Sequence, residues 1–194
     1  MKKINVGLIG FGNVGSGVVK ILSDRKNFLS ERIVLDINIK KICDKDISSR
    51  RNVTVDRSHF SKDAKEIIND PQIDIIVELI GGIHPAKEYI VEALKKGKSV
   101  VTANKALLAQ EGRELFALAQ DRGKSIYFEA SVGAGIPIIK SLREGLVANK
   151  FFSIFGIVNG TSNFILSRMS NNNCTFGDAL SEAKARGFAE KDPT

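Results

Sequence analysis

The chain has 194 residues, 43% of them apolar and 26% charged, which excludes a disordered chain and allows one large domain or one domain and part of a second. No apolar run approaches the roughly 20 residues of a membrane span, so no membrane partner is expected. The net charge of +7, from 29 basic and 22 acidic residues, is scattered without aromatic interleaving. This argues against nucleic acid and for a phosphate-bearing cofactor or an anionic small substrate.

The opening MKKINVGLIGFGNVG places two lysines before an apolar run, as a secretory signal does. The run is short, is broken by glycines and lacks a small-residue cleavage site, so residues 3–9 read as a first strand, buried on both faces. A helix follows, with Val14, Val18, Val19, Ile21 and Leu22 on its apolar stripe, and then a second strand over Leu35 to Cys43. The polar stretch Asp44 to Ser58 reads as loop and Asp63 to Asn69 as a short helix. IDIIVELI (73–80) is a buried strand stopped by GGIHP. Pro85 then opens a helix to about Lys96, since the first turn tolerates proline. KSVVTA reads as strand, 105–122 as helix and KSIYFEA as strand. Strand and helix in strict alternation predict a doubly wound parallel sheet.

Past Ser131 the character changes. VGAGIPIIKSLREGLVAN reads as glycine-rich loop and then helix, FFSIFGIVNG as strand, and TSNFILSRMS and FGDALSEAKARG as helices. We therefore divide the chain into domains 1–130 and 131–194. Cys43 and Cys174 are far apart, have no metal-binding spacing and give no sign of an oxidising compartment, so a cytoplasmic protein is expected.

GLIGFGNVGSG carries Gly10, Gly12 and Gly15 in G-x-G-x-x-G spacing between the first strand and its helix. The first glycine permits a tight turn, the second lets the backbone approach a pyrophosphate and the third lets the helix pack closely. The free N–H groups at the helix start then face the phosphates. This makes 1–130 a Rossmann-type dinucleotide-binding domain, with Gly10, Phe11, Gly12, Asn13, Val14 and Gly15 against the cofactor. Asp44, at the end of the second strand, is the candidate for a ribose 2′-hydroxyl, which favours NAD. Lys40, Lys41 and Lys45 flank it and suit a 2′-phosphate, so NAD and NADP both stay open.

Lys105 follows the strand KSVVTA, at the strand end where open α/β sheets bind ligands. It is either a solvated first-turn lysine or a reagent. A lysine there supplies both the proton and the cation that an alkoxide needs as it forms. EASVGAGIPI is a second informative loop. Its small residues and proline suggest main chain turned toward a ligand, or a tight interdomain connection. No zinc-type ligand set exists, and His59 and His84 have no supporting partners in sequence.

The blocks VGLIGFGNVGSGVV, IVELIGG, VVTANKALLA, EASVGAGIPII, NGTSNFIL and ARGFAEKDPT occur in an order that resembles homoserine dehydrogenase across essentially the whole chain. The resemblance implies NAD(P)-dependent, reversible reduction of L-aspartate 4-semialdehyde to L-homoserine, on the route to threonine and methionine. It implies that 131–194 begins an α+β domain that binds the amino-acid substrate and forms a homodimer. Lys105 would touch cofactor and substrate and assist proton transfer. Glu190 would meet the substrate ammonium, Gly160 and Thr161 would hold the substrate, and Gly187 would lie close to the nicotinamide. Thr161 is equally natural as a plain helix cap. Backbone carbonyls of Glu129, Val132, Ala134 and Ile136 would bind a monovalent cation such as sodium. The family's signature continues past GFAEKDPT to further aspartates and a second lysine, so this chain alone is expected to be inactive.

Two rivals remain. One is a non-catalytic NAD(P)-binding regulatory module, which needs neither Lys105 nor Glu190. The other is a related amino-acid or aldehyde dehydrogenase, whose acylating form needs a nucleophilic cysteine that neither Cys43 nor Cys174 is well placed to supply.

Overall fold

The computed structural model describes residues 1–49, 51–133, 135–156 and 159–189. Strand β1 (Lys2–Ile9) leads into helices α1 (Asn13–Asp24) and α2 (Lys26–Ile33), and then into β2 (Leu35–Cys43). A one-turn 3₁₀ helix (Arg57–His59) precedes the short β3 (Phe60–Ser61) and helix α3 (Ala64–Asn69). The chain continues through β4 (Ile75–Glu78), α4 (Ala86–Lys95), β5 (Ser99–Thr102), α5 (Lys105–Asp121) and β6 (Ile126–Tyr127). All neighbouring strands pair in parallel, in the order β3-β2-β1-β4-β5-β6. The chain runs outward from β1 through β2 to β3 and then returns to β1's other side for β4, so β1 and β4 flank the point where the winding reverses.

Apolar burial on both faces explains the sheet. On one face Ile9, Ile76, Val100 and Ile126 pack with Ile67 and Ile68 of α3, Ile90 and Leu94 of α4, and Leu107 and Leu115 of α5. On the other, Val6, Leu8, Ile42 and Val77 pack with Val19 of α1 and with Phe11. The pairing of β1 with β2 slips between Val6 and Gly7, leaving Lys40 outside the register. Lys40 Nζ then reaches Asp70 Oδ2 at 2.7 Å and Gln72 Oε1 at 2.6 Å, and that ammonium holds the Asp70 carboxyl below its usual range. Lys98 is 4% exposed and donates from Nζ to the carbonyls of Asp70 and Ile73, both at 2.6 Å. It thereby pins the turn that enters β4.

Two expectations are corrected. KSIYFEA forms a strand only over Ile126–Tyr127, because pairing with β5 ends there and Phe128 leaves extended geometry at ψ 21°. FFSIFGIVNG forms no strand over 151–156, and no strand partner for it exists among the described residues. Phe152 and Phe155 are 90% and 91% exposed there. Residues 157 and 158 of that stretch lie outside the described residues.

The chain divides into compact units Met1–Gly145 and Leu146–Thr194, later than the 130/131 boundary read from the sequence. The Glu129 carboxylate accounts for the displacement. It accepts N–H bonds from Ile139 at 2.9 Å and Lys140 at 2.8 Å, tying the short helix α6 (Ile138–Lys140) to the end of the sheet. In the second unit, α7 (Gly160–Asn172) and α8 (Phe176–Ala185) pack around Ile165, Ala179 and Ala183. Thr175 and Asp178 cap α8 reciprocally. Among the described residues no helix is long and apolar enough to cross a membrane.

A β-carbon on Gly7 would lie 2.2 Å from Ile67 Cγ2 in the packed interior. Gly7→Ala should therefore cost about 1–3 kcal/mol of stability. Urea unfolding measures this, and an unchanged midpoint would contradict the packing described.

Candidate functional site

The phosphate turn depends on missing side chains. A β-carbon on Gly15 would sit 2.0 Å from the Gly10 carbonyl oxygen, and one on Gly10 would sit 2.6 Å from Leu79 C. Gly10 also has φ +102°, a region unfavourable to any other residue. Gly12 differs, because a β-carbon there meets nothing within 4 Å. No packing contact within the fold calls for glycine at this position. Helix α1 begins at Asn13 with no side-chain cap and no acidic residue in its first turn. The N–H groups of that turn have no intrahelical partners and present a positive end to an anion.

A cavity of about 420 Å³ opens beside this turn, lined among others by Gly10, Gly12, Asp44, Lys45, Lys62 and Ile80. It lies at the reversal of winding between β1 and β4, where doubly wound sheets bind ligands. Gly12 on the main-chain side and the two lysines among the lining fit a dinucleotide's phosphates. A depression of about 500 Å³ on the other side of Phe11 is larger, but none of the turn's glycines lines it.

Several expected site residues have their polar groups already engaged. Phe11 is buried and packs edge-on against Phe60, with ring centroids 5.2 Å apart. Its N–H donates to Asp44 Oδ2 at 2.5 Å, and its carbonyl accepts from Arg51 Nε at 2.8 Å. Asp44 Oδ1 accepts the Asp46 N–H at 2.8 Å. Both Asp44 oxygens therefore hold main chain, and a ribose hydroxyl would have to use their remaining lone pairs. Asn13 and Val14 are exposed in the first turn of α1. Cys43 also lines the cavity, and burial, with Asp44 next in effect, pushes its thiol up to about 11. It is a thiol at neutral pH and a poor nucleophile.

Lys105 is exposed as the first residue of α5, just past β5, with its side chain in no ion pair among the described residues. It is absent from the cavity lining and stands at the end of the next strand over. Asn104 precedes it as a true cap, its Oδ1 accepting the Leu107 N–H at 3.2 Å. Reading the sequence missed Glu78, which is wholly buried at the end of β4 and opposite Thr102 in the β5 register. The available signal was a carboxylate closing an apolar strand.

In the second unit Asn159, not Thr161, caps α7, accepting the Ser162 N–H at 2.9 Å. The Thr161 hydroxyl instead donates to the Phe188 carbonyl. Gly160, the first residue of α7, is exposed. Gly187 has φ +75° and closes α8, with Gly187 N–H on Lys184 O at 3.1 Å and Phe188 N–H on Ala183 O at 2.8 Å. Glycine is thus required there by the helix end itself. Glu190 and Ala134 lie outside the described residues. Of the remaining carbonyls expected to bind a cation, those of Glu129 and Ile136 accept N–H bonds from Val132 at 3.1 Å and Ile138 at 2.9 Å. Each keeps a second lone pair, and neutral carbonyl oxygens suit a hard monovalent ion. No cluster of three or more His, Cys, Asp or Glu side chains suited to a metal occurs among the described residues.

Comparison with known proteins gives a consistent result. Residues 10–129 match the family model described as homoserine dehydrogenase, NAD binding domain, and residues 137–194 match that described as homoserine dehydrogenase. Homoserine dehydrogenase of Bacillus subtilis strain 168 is 46% identical over 194 residues, which are all of this chain and 45% of the relative. That of Neisseria gonorrhoeae is 47% identical and covered to 44%. The crystal structure of a homoserine dehydrogenase from Thiobacillus denitrificans superposes with a TM-score of 0.91 at 43% identity, covering all of this chain and 45% of that one. A hyperthermophilic archaeal homoserine dehydrogenase mutant in complex with NADPH gives a TM-score of 0.82 at 30% identity, covering 98% of this chain and 63% of that one. The chain spans about half the length of the curated relatives it matches.

Because a β-carbon at position 12 meets no protein atom within 4 Å, Gly12→Val should still fold and lose nicotinamide dinucleotide affinity by at least about tenfold through crowding of the pyrophosphate. Calorimetry on the folded variant checks this. Unchanged affinity would remove the phosphates from this turn.

Proposed function

The chain belongs to the homoserine dehydrogenase family, and from that premise we propose that the protein interconverts L-aspartate 4-semialdehyde and L-homoserine with NAD or NADP. The observation that carries this reading is the exposed Lys105 at the end of β5, without an ion-pair partner among the described residues and two strands from the glycine turn between β1 and α1.

The nicotinamide supplies or accepts the hydride when bound. The chain's own residues bind, orient and handle charge. Backbone N–H groups of the first turn of α1 hold the phosphates, and Gly12 leaves room for them. Asp44 or its neighbours Lys45 and Lys62 meet the adenosine ribose, the carboxylate favouring a free hydroxyl and the ammonium groups a phosphate. Lys105 places a cation where negative charge develops on the substrate oxygen, and moves a proton to or from that oxygen. By the family resemblance, Gly160 and Thr161 would hold the substrate, Glu190 would pair with its ammonium, and Gly187 would serve the nicotinamide. The carbonyls of Glu129, Val132, Ala134 and Ile136 hold a monovalent cation such as sodium, which firms the loop after β6.

We also propose a cytoplasmic homodimer. Both cysteines are free, as suits a reducing compartment. The apolar residues Phe151, Phe152, Ile154 and Phe155 are exposed, as suits an unmet interface. A non-catalytic NAD(P) sensor is disfavoured, because it would have no use for a lysine at the strand end that has no ion-pair partner among the described residues.

Lys105→Ala in the whole enzyme should lower kcat by roughly 100-fold or more, the scale for a lost proton-transfer or charge-stabilising group. Lys105→Arg should recover little, since guanidinium does not give up its proton. Steady-state kinetics with homoserine measure both, and near-normal turnover in the alanine variant would refute the assignment.

A further inference from the structure

Glu78 is wholly buried, yet its two neighbours in the register are Ile9 and Thr102, and the rest of β4 is apolar. A valine or leucine would complete the strand at no desolvation cost. What the carboxylate adds is a pair of directed acceptors, and both are used outside the sheet ladder. Oε1 accepts the Ile80 N–H at 2.8 Å, and Oε2 accepts the Thr102 hydroxyl at 2.7 Å.

The direction of these bonds is fixed. Thr102 Oγ1 itself accepts the Asn104 N–H at 3.0 Å, so its hydrogen is left for Glu78. Asn104 Nδ2 in turn donates to the Gly82 carbonyl at 2.6 Å. The bonds close a ring from Glu78 through Ile80 to Gly82, across to Asn104, and back by way of Thr102. One side of the ring is a loop containing Gly81 (φ +71°) and Gly82 (φ +70°), which has little stiffness of its own. That loop lines the dinucleotide cavity through Ile80 and Gly81 and presses on Gly10. The other side of the ring is the turn that ends at Lys105.

We propose that Glu78 is a positioning residue which sets the cofactor-lining loop and the Lys105 turn from one buried carboxylate, with Thr102 as the relay to Lys105. This rests on the reading of Lys105 as the group that meets the substrate oxygen. The two acceptors predict separable effects. Cutting the Thr102 arm loosens the lysine turn and leaves Ile80 held, whereas altering Glu78 disturbs both.

The test is steady-state kinetics of the whole enzyme with homoserine and cofactor, each variant at equal folded concentration by circular dichroism. Thr102→Val should lower kcat about tenfold or more, the scale of a small misplacement of a reacting group, and leave the cofactor KM within about twofold. Thr102→Ser, which keeps the hydroxyl, should recover most of that loss. Glu78→Gln should lower kcat and raise the cofactor KM. The double variant should be no slower than Glu78→Gln alone, because both act through one path. Multiplying losses in the double variant, a wild-type kcat in Thr102→Val, or no recovery with serine would each overturn the proposal. If Glu78→Gln fails to fold, the valine and serine pair decides alone. Lys105→Ala separates the two readings. Normal turnover in that variant sinks the role of Lys105 itself, whereas collapsed turnover beside a normal Thr102→Val sinks only the role of Glu78.

Discussion

The architecture rests on a close approach of main chain to main chain where β1 ends. Gly10 and Gly15 touch at a distance that admits no side chain, and Gly10 rests on the peptide of Leu79 beyond β4. This contact seats α1 on the sheet, turns its unpaired N–H groups toward solvent and brings the β4 loop against the phosphate turn. Packing on the two faces then follows from apolar strands covered by α1 on one side and by α3, α4 and α5 on the other. The cavity is what the reversal of winding between β1 and β4 leaves open.

Buried and half-buried polar groups refine what packing cannot specify. A sheet of interchangeable valines and isoleucines fixes strand positions but says little about loops rich in glycine. Here Glu129 ties the loop after β6 to α6, Asp44 holds the backbone at Phe11, and Lys98 gathers the carbonyls before β4. Glu78 does the same for the loop after β4. Glu129, Asp44 and Glu78 commit a charged side chain to main-chain geometry at the carboxyl ends of the strands, and Lys98 does so at the amino end of β4. Low local dielectric makes such bonds directional and their loss costly.

Much of this was legible in the sequence where a single physical rule dominates. The second strand runs from Leu35 to Cys43 as read, because apolar and polar residues alternate along most of it and a polar loop ends it. The glycine spacing pointed to a tight turn between β1 and α1, and Gly10 and Gly15 do stand where main chain approaches main chain too closely for a side chain. Lys105 was visible as a cation at a strand end. Tertiary pairing was not legible. FFSIFGIVNG has strand composition but finds no partner over its described part among the described residues, and KSIYFEA stops at Tyr127, opposite Val101. Nor did composition reveal that Asp44 would bind its own chain, that Thr161 would reach Phe188, or that Asn159 would be the cap. These are choices among short polar side chains of similar capability, settled by geometry several residues away. Glu78 was a missed clue of another kind, because a carboxylate in a buried strand demands a partner.

The central claim is that the carboxyl ends of β1, β4 and β5 form one cradle for a nicotinamide dinucleotide. The most direct measurement is nuclear magnetic resonance of the ¹⁵N-labelled chain titrated with NADH and, separately, NADPH. Saturable shifts should gather at the amides of Gly12 to Gly15, Ile80 to Gly82, and Asn104 with Lys105. No saturable change, or changes confined to residues 146–189, would contradict it.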